Sequence, residues 1–171
     1  METVLLPPSM GSNYIWRRGA VFDDGGGFSE FYTDGSVVLG YAAWAAVCPL
    51  HSSLSGCGGV SGPQLAIRAE LSAVVYALEN TTGNVRIFTD CPDVMVASLH
   101  IHAPDKKMEK RFVRHSDLLD SIIRAGDGRC CDFVKIRGHT SSQDYMSKWN
   151  GEADARARDY ATRLSYGSLA F

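Results

Sequence analysis

The apolar and polar positions of this chain change period several times, and each change marks an element. Phe31 and Tyr32 stand in a short aromatic run, Glu30 to Asp34, that reads as a strand. Gly35-Ser36 then opens a turn. Gly40 to Val47, rich in Tyr, Ala, Trp and Val, forms a second strand that Pro49 stops. A third strand is expected within 52–60, where Gly56, Gly58 and Gly59 suggest a bulged edge. The spacing then turns helical: Leu71, Val74, Val75 and Leu78 recur on one face, and Asn80 to Gly83 ends the helix. Val85 to Thr89 is a short apolar strand, and Pro92 fits the first turn of a new helix. Residues 103–115 are polar and basic. Ser116 can cap a helix through Ile123 that Gly126 closes. Phe133 to Ile136 is the next strand. A polar loop from Gly138 to Lys148 leads to a last helix, whose apolar face is Ala153, Ala157, Tyr160, Ala161 and Leu164.

The resulting order, β-β-β-α-β-α-α-β-α, predicts an α/β fold: a mixed sheet, begun by an antiparallel meander, with helices on its faces. Residues 1–28 read as an N-terminal extension or linker, in part disordered. Pro7-Pro8, Gly11-Ser12 and Gly25-Gly26-Gly27 break any period there, although Tyr14, Ile15 and Trp16 could dock locally. The globular domain is expected over 29–171.

Composition adds constraints. A length of 171 residues suits one domain with a full core, and 45% apolar with 21% charged residues is ordinary for one. A net charge of −2 does not announce a polyanionic partner, so nucleic acid would need a local basic patch or bound cations. No apolar run is long enough to span a bilayer, and the N-terminus lacks the pattern of a secretory signal. The five cysteines are odd in number and form no CxxC pair, which argues against zinc. They place the chain in a reducing intracellular compartment, cytoplasm or nucleus. Adjacent Cys130 and Cys131 are expected on opposite faces of a strand.

Four acids stand out against this background: Asp34 in FYTDGS (31–36), Glu70 in RAEL (68–71), Asp90 in IFTDC (87–91) and Asp154 in NGEADARA (150–157). Each has an ordinary explanation alone: a turn aspartate, acids complementing a helix dipole, a cap. Together they fall near element ends, where a scaffold can aim them at one point. Asp34 is read as ending the first strand and Asp90 the fourth, and ligands of open α/β sheets bind at such carboxyl ends. Neighbouring strands lie about 4.8 Å apart, so two such aspartates can share one cation. Glu70 is placed in the first turns of its helix and Asp154 in the first turns of the last.

These motifs, with GHT (138–140) before NGEADARA, resemble the type 1 ribonuclease H family over about residues 29–165. The resemblance implies a five-stranded mixed sheet, the first three strands antiparallel and the last two parallel to the first. It implies an endonuclease that hydrolyses the RNA strand of RNA–DNA hybrids, leaving 5′-phosphate and 3′-hydroxyl ends. Two magnesium ions, replaceable by manganese, are implied as cofactors. Asp34 would bridge both, Glu70 and Asp90 would complete one site, and Asp154 the other. Oxygen ligands suit such hard ions. His139 corresponds to the family's late histidine, with a role in proton transfer or in metal and product release.

Departures from the family pattern concern the substrate. Leu65, Ala66 and Ile67 stand where polar residues usually touch the hybrid, so recognition of the RNA 2′-OH is expected to shift to groups near Gly35, Ser36, Gln64 and Arg68. Lys106, Lys107, Lys110 and Arg111 occupy the place of a basic protrusion that grips the hybrid in some members. Cys91 replaces a usual serine. The long His139–Asp154 stretch is closer to reverse-transcriptase-linked members, which suggests a domain from a retroelement or viral polyprotein with a reverse transcriptase partner; the isolated domain is expected to be a monomer. Two other readings stay open. One is a 3′→5′ exonuclease on a related scaffold, which the Gly35-Ser36 following Asp34 disfavours because such enzymes begin with Asp-x-Glu. The other is a catalytically inactive nucleic-acid-binding or interaction module, which the presence of all four acids disfavours.

Overall fold

Alternating apolar residues along three short segments build one sheet that is covered on both sides. The computed structural model describes residues 3–4, 14–18, 27–103, 105–138 and 144–169. The strands are β1 (Thr3–Val4), β2 (Tyr14–Arg18), β3 (Ser29–Val38), β4 (Tyr41–Val47), β5 (Gly56–Gly59), β6 (Val85–Thr89) and β7 (Cys131–Ile136). The helices are α1 (Ala66–Glu79), α2 (Pro92–Ala97), α3 (Leu99–His102), α4 (Lys110–Val113), α5 (Ser116–Gly126) and α6 (Tyr145–Leu169).

The strand order is β1-β2-β7-β6-β3-β4-β5. Strands β3, β4 and β5 form the expected antiparallel meander, with Tyr32 opposite Val47 and Ala45 opposite Cys57. Strands β6 and β7 run parallel to β3, in a register that aligns Phe31, Ile87 and Phe133. These five strands are the predicted mixed sheet. The lead-in segment adds β1 and β2, and β2 pairs antiparallel with β7.

Successive side chains on a strand point to opposite faces, and the core divides accordingly. Phe31, Ile87 and Phe133 enter a cluster with Leu71, Val74 and Leu78 of α1, Met95 of α2, Phe112 of α4 and Ile122 of α5. Their neighbours Tyr32, Phe88 and Val134 enter a second cluster with Met146 and Ala153 of α6. Burial on both faces explains why adjacent residues Ile87 and Phe88 of β6, and Phe133 and Val134 of β7, are both apolar. Helix α6 packs on β3 and β4. Its fully buried Ala153, Ala157 and Ala161, at i, i+4 and i+8, provide the narrow side that allows this approach.

Several boundaries differ from the sequence expectation. Strand β3 does not stop at Asp34: Gly35 and Ser36 pair with Trp44 and Ala43, so Asp34 lies within the strand. The reversal falls instead at Leu39-Gly40, where both residues have positive φ (49° and 81°), as a two-residue hairpin turn of the twist-compatible kind requires. Helix α6 begins at Tyr145, earlier than expected, because the Asp144 carboxylate accepts the Ser147 N–H at 2.8 Å and caps it. Asp154 is therefore the tenth residue of that helix, not in its first turn. Ser116 is the first residue of α5, not its cap; His115 precedes it and no side chain caps this helix. The basic segment is anchored by α4, whose Phe112 is fully buried. Among the described residues, no helix is long and apolar enough to cross a membrane.

Candidate functional site

Three of the four acids meet at one point beside the central strand. Asp34 is fixed on β3, and its Oδ1 accepts the N–H of Gly35 at 2.8 Å. Gly35 lacks a side chain, and α1 occupies the space: a β-carbon there would lie 2.7 Å from Ala69 Cβ and 2.9 Å from the Glu70 nitrogen. That close approach brings Glu70, the fifth residue of α1, against the strand. Asp90 immediately follows β6, the parallel neighbour of β3. One carboxylate oxygen from each of Asp34, Glu70 and Asp90 lies within 4.8 Å of the others.

Asp154 is not one of the three acids that lie within 4.8 Å of one another. Its carboxylate is paired with Arg158 one turn along α6, although its charge still acts on Asp34. His139 lies outside the described residues.

Charge crowding and burial govern the protonation of Asp34 and Glu70. Asp34 is only 5% exposed. Burial, then the negative charge of Asp90, push its carboxyl up to about 7, against the opposing hydrogen bonds from Glu70 and Gly35. Burial and the Asp34 charge raise Glu70 well above the usual carboxylate range. The hydrogen bond between them ties the two titrations together, so the pair shares a proton. Glu70 Oε2 is buried without a hydrogen-bond partner. A buried carboxylate oxygen without a donor is costly, and a cation would satisfy it. The donor set is three carboxylates with no nitrogen or sulfur, which suits a hard divalent ion. Burial, then the negative charge of Glu70, push the thiol of Cys91, next to Asp90, up to about 12.

Two neighbours of Asp90 escape sequence reading. Asn150, 4% exposed on α6, donates from Nδ2 to Asp90 Oδ2 at 3.4 Å. Gly138, just past β7, abuts the same carboxylate; a β-carbon there would collide with Oδ2 and sit 3.0 Å from Cγ. The one sequence signal for Asn150 was its position four residues before Asp154, hence on the same helix face.

The expected substrate residues are dispersed in role. Gly35 serves packing, and Ser36 continues β3. Gln64 is used internally: its Oε1 accepts the Ala42 N–H at 2.8 Å, and its Nε2 donates to the Val60 carbonyl at 2.7 Å. Arg68 is buried and grips Asp117 with both terminal nitrogens, at 3.0 and 2.5 Å, while its Nε donates to the Ser61 carbonyl. Arg111 pairs with Asp93 and with Glu109. Lys106, Lys107 and Lys110 are exposed.

Residues 28–162 match the family model described as RNase H. No curated protein matches the chain.

Proposed function

The chain belongs to the RNase H family, and on that premise we propose that it is a metal-dependent endonuclease acting on the RNA strand of RNA–DNA hybrids. The convergence of Asp34, Glu70 and Asp90 within 4.8 Å, with one buried Glu70 oxygen left without a partner, carries this reading. Asp34, Glu70 and Asp90 would hold one divalent cation, magnesium or manganese. Asp34 and Asp154 would hold a second once Asp154 exchanges Arg158 for it. Bound ions of this kind supply Lewis-acid activation of a water and stabilisation of the leaving 3′ oxygen.

The chain's own part is positional. The Gly35 N–H fixes one oxygen of Asp34. The rigid junction of β3 with α1 holds Glu70 against it, and β6 delivers Asp90 from the adjacent strand. The attacking group in this scheme is a water activated by the bound ions, so no protein nucleophile is required. The expected products carry 5′-phosphate and 3′-hydroxyl ends. Exposed Lys106, Lys107 and Lys110 are the groups offered to the hybrid backbone.

The test is to incubate the protein with RNA–DNA hybrid, duplex RNA and duplex DNA, each end-labelled and each with and without magnesium. Internal cuts in the RNA strand of the hybrid, only with metal, are expected. Metal-independent cutting, release of terminal nucleotides only, or no cutting with either magnesium or manganese would overturn the proposal.

A further inference from the structure

We infer that Asn150 is a positioning residue for Asp90, holding that carboxylate in the acidic group without reducing its charge; this rests on the reading of the acids as a cation-dependent hydrolytic centre. Three observations converge on it. The Nδ2 of Asn150 donates to Asp90 Oδ2 across sixty residues of chain. Gly138 closes on the same oxygen from another element, so Oδ2 is confined between β7's end and α6. The remaining amide atom, Asn150 Oδ1, is buried with no hydrogen-bond partner.

The last observation argues against a purely structural role. A buried amide with one end unsatisfied is a poor choice for packing alone, and an apolar side chain of similar volume would fill the same space without that penalty. A buried polar group with an incomplete set of partners calls for another explanation. Asp90 provides one. It is half-buried, and its charge acts on both Asp34 and Glu70. Mutual repulsion drives such a carboxylate to rotate away from its neighbours. A lysine or arginine at position 150 would hold it but would also neutralise the field that attracts a cation. A neutral amide donor orients the carboxylate and leaves the negative charge intact. Groups that orient a metal-binding carboxylate in this way matter nearly as much as the ligands.

The experiment compares the full chain with Asn150→Ala and with Asn150→Leu, which keeps the branched shape and removes the donor. Magnesium chloride is titrated calorimetrically without substrate, steady-state cleavage of a hybrid is measured at saturating magnesium, and thermal melts establish that each variant is folded at the working temperature. Magnesium affinity and kcat are expected to fall by about 10–100-fold with the KM for hybrid little changed. A merely structural residue would lower the melting temperature and leave affinity and kcat of the folded protein alone. If Asn150→Ala does not fold, Asn150→Leu decides. Native magnesium affinity and native kcat in the folded variant would overturn the inference. Asp34→Asn run alongside separates the two failures: if the wild-type chain neither binds magnesium nor cuts, the hydrolytic reading fails. If wild type cuts, Asp34→Asn does not, and the Asn150 variants match wild type, only the role of Asn150 fails.

Discussion

Gly35 and Glu70 are packed so closely that one extra carbon cannot be placed between them. A β-carbon on Gly35 would stand 2.9 Å from the Glu70 nitrogen. The neighbour is backbone, which cannot rotate aside. Gly35→Ala should therefore push α1 from β3, cost about 1–3 kcal/mol of stability as overpacking does, and weaken magnesium binding by displacing Glu70. Thermal denaturation and a metal titration of the folded variant would check both. An unchanged melt with unchanged affinity would refute the proposed tie between strand and helix.

Asp34 touches both the charge and the geometry of the site. Asp34→Asn should lower hybrid cleavage by more than about 100-fold, beyond the loss typical of groups that only support a ligand. Without metal the same variant should melt at or above the wild-type temperature, because a repelling anion is gone. A variant that cuts normally with magnesium refutes the role of Asp34.

The raised carboxyls give a pH dependence with a definite sign. Asp34 titrates near 7 in the folded chain, against an ordinary value of 3.8. The folded state thus binds its proton more tightly than the unfolded state does. The contribution of Asp34 to metal-free stability is greatest below the ordinary carboxylate range and is lost as pH rises from about 4 to about 7. Magnesium needs the deprotonated acids, so its affinity should rise over the same window, by up to about tenfold per pH unit for each proton displaced. Calorimetry at about pH 5.5 and pH 7.5 would test this linkage; equal affinities would show that the buried pair is not the ligand.

Arg68 is committed to the fold rather than offered to substrate. Its guanidinium is buried, while the Asp117 it grips is largely exposed. Asp117→Asn leaves a buried cation with a weaker partner and should destabilise the protein by about 1–2 kcal/mol. The KM for hybrid should not move. A raised KM with an unchanged melt would return Arg68 to the substrate surface.

The exposed lysines make the opposite case. If Lys106, Lys107 and Lys110 meet phosphates, replacing all three by alanine should leave the melt nearly unchanged. Hybrid binding should weaken, and the slope of log affinity against log salt should become shallower by about one for each phosphate that no longer meets a lysine. An unaltered salt slope would mean that these residues are only a solvated face.

Local pattern carried much of this fold. The alternation through Phe31-Tyr32, the helical spacing of Leu71 to Leu78 and the acids at Glu70 and Asp90 are set by neighbours within a few residues. Periodicity and end signals report such neighbours well. The five central strands and the acid-bearing helix α1 were legible for that reason. Contacts between distant segments decided the remainder. Ala45 across the ladder keeps Asp34 inside a strand that its own sequence reads as ending. Asp117, 49 residues away, occupies Arg68, and Asp90, 60 residues away, receives Asn150. Helix α6 starts early, and its Asp154 is paired with Arg158 one turn along. Such partners leave no mark at a fixed spacing, because they are chosen by the packing of whole elements rather than by the chain between them.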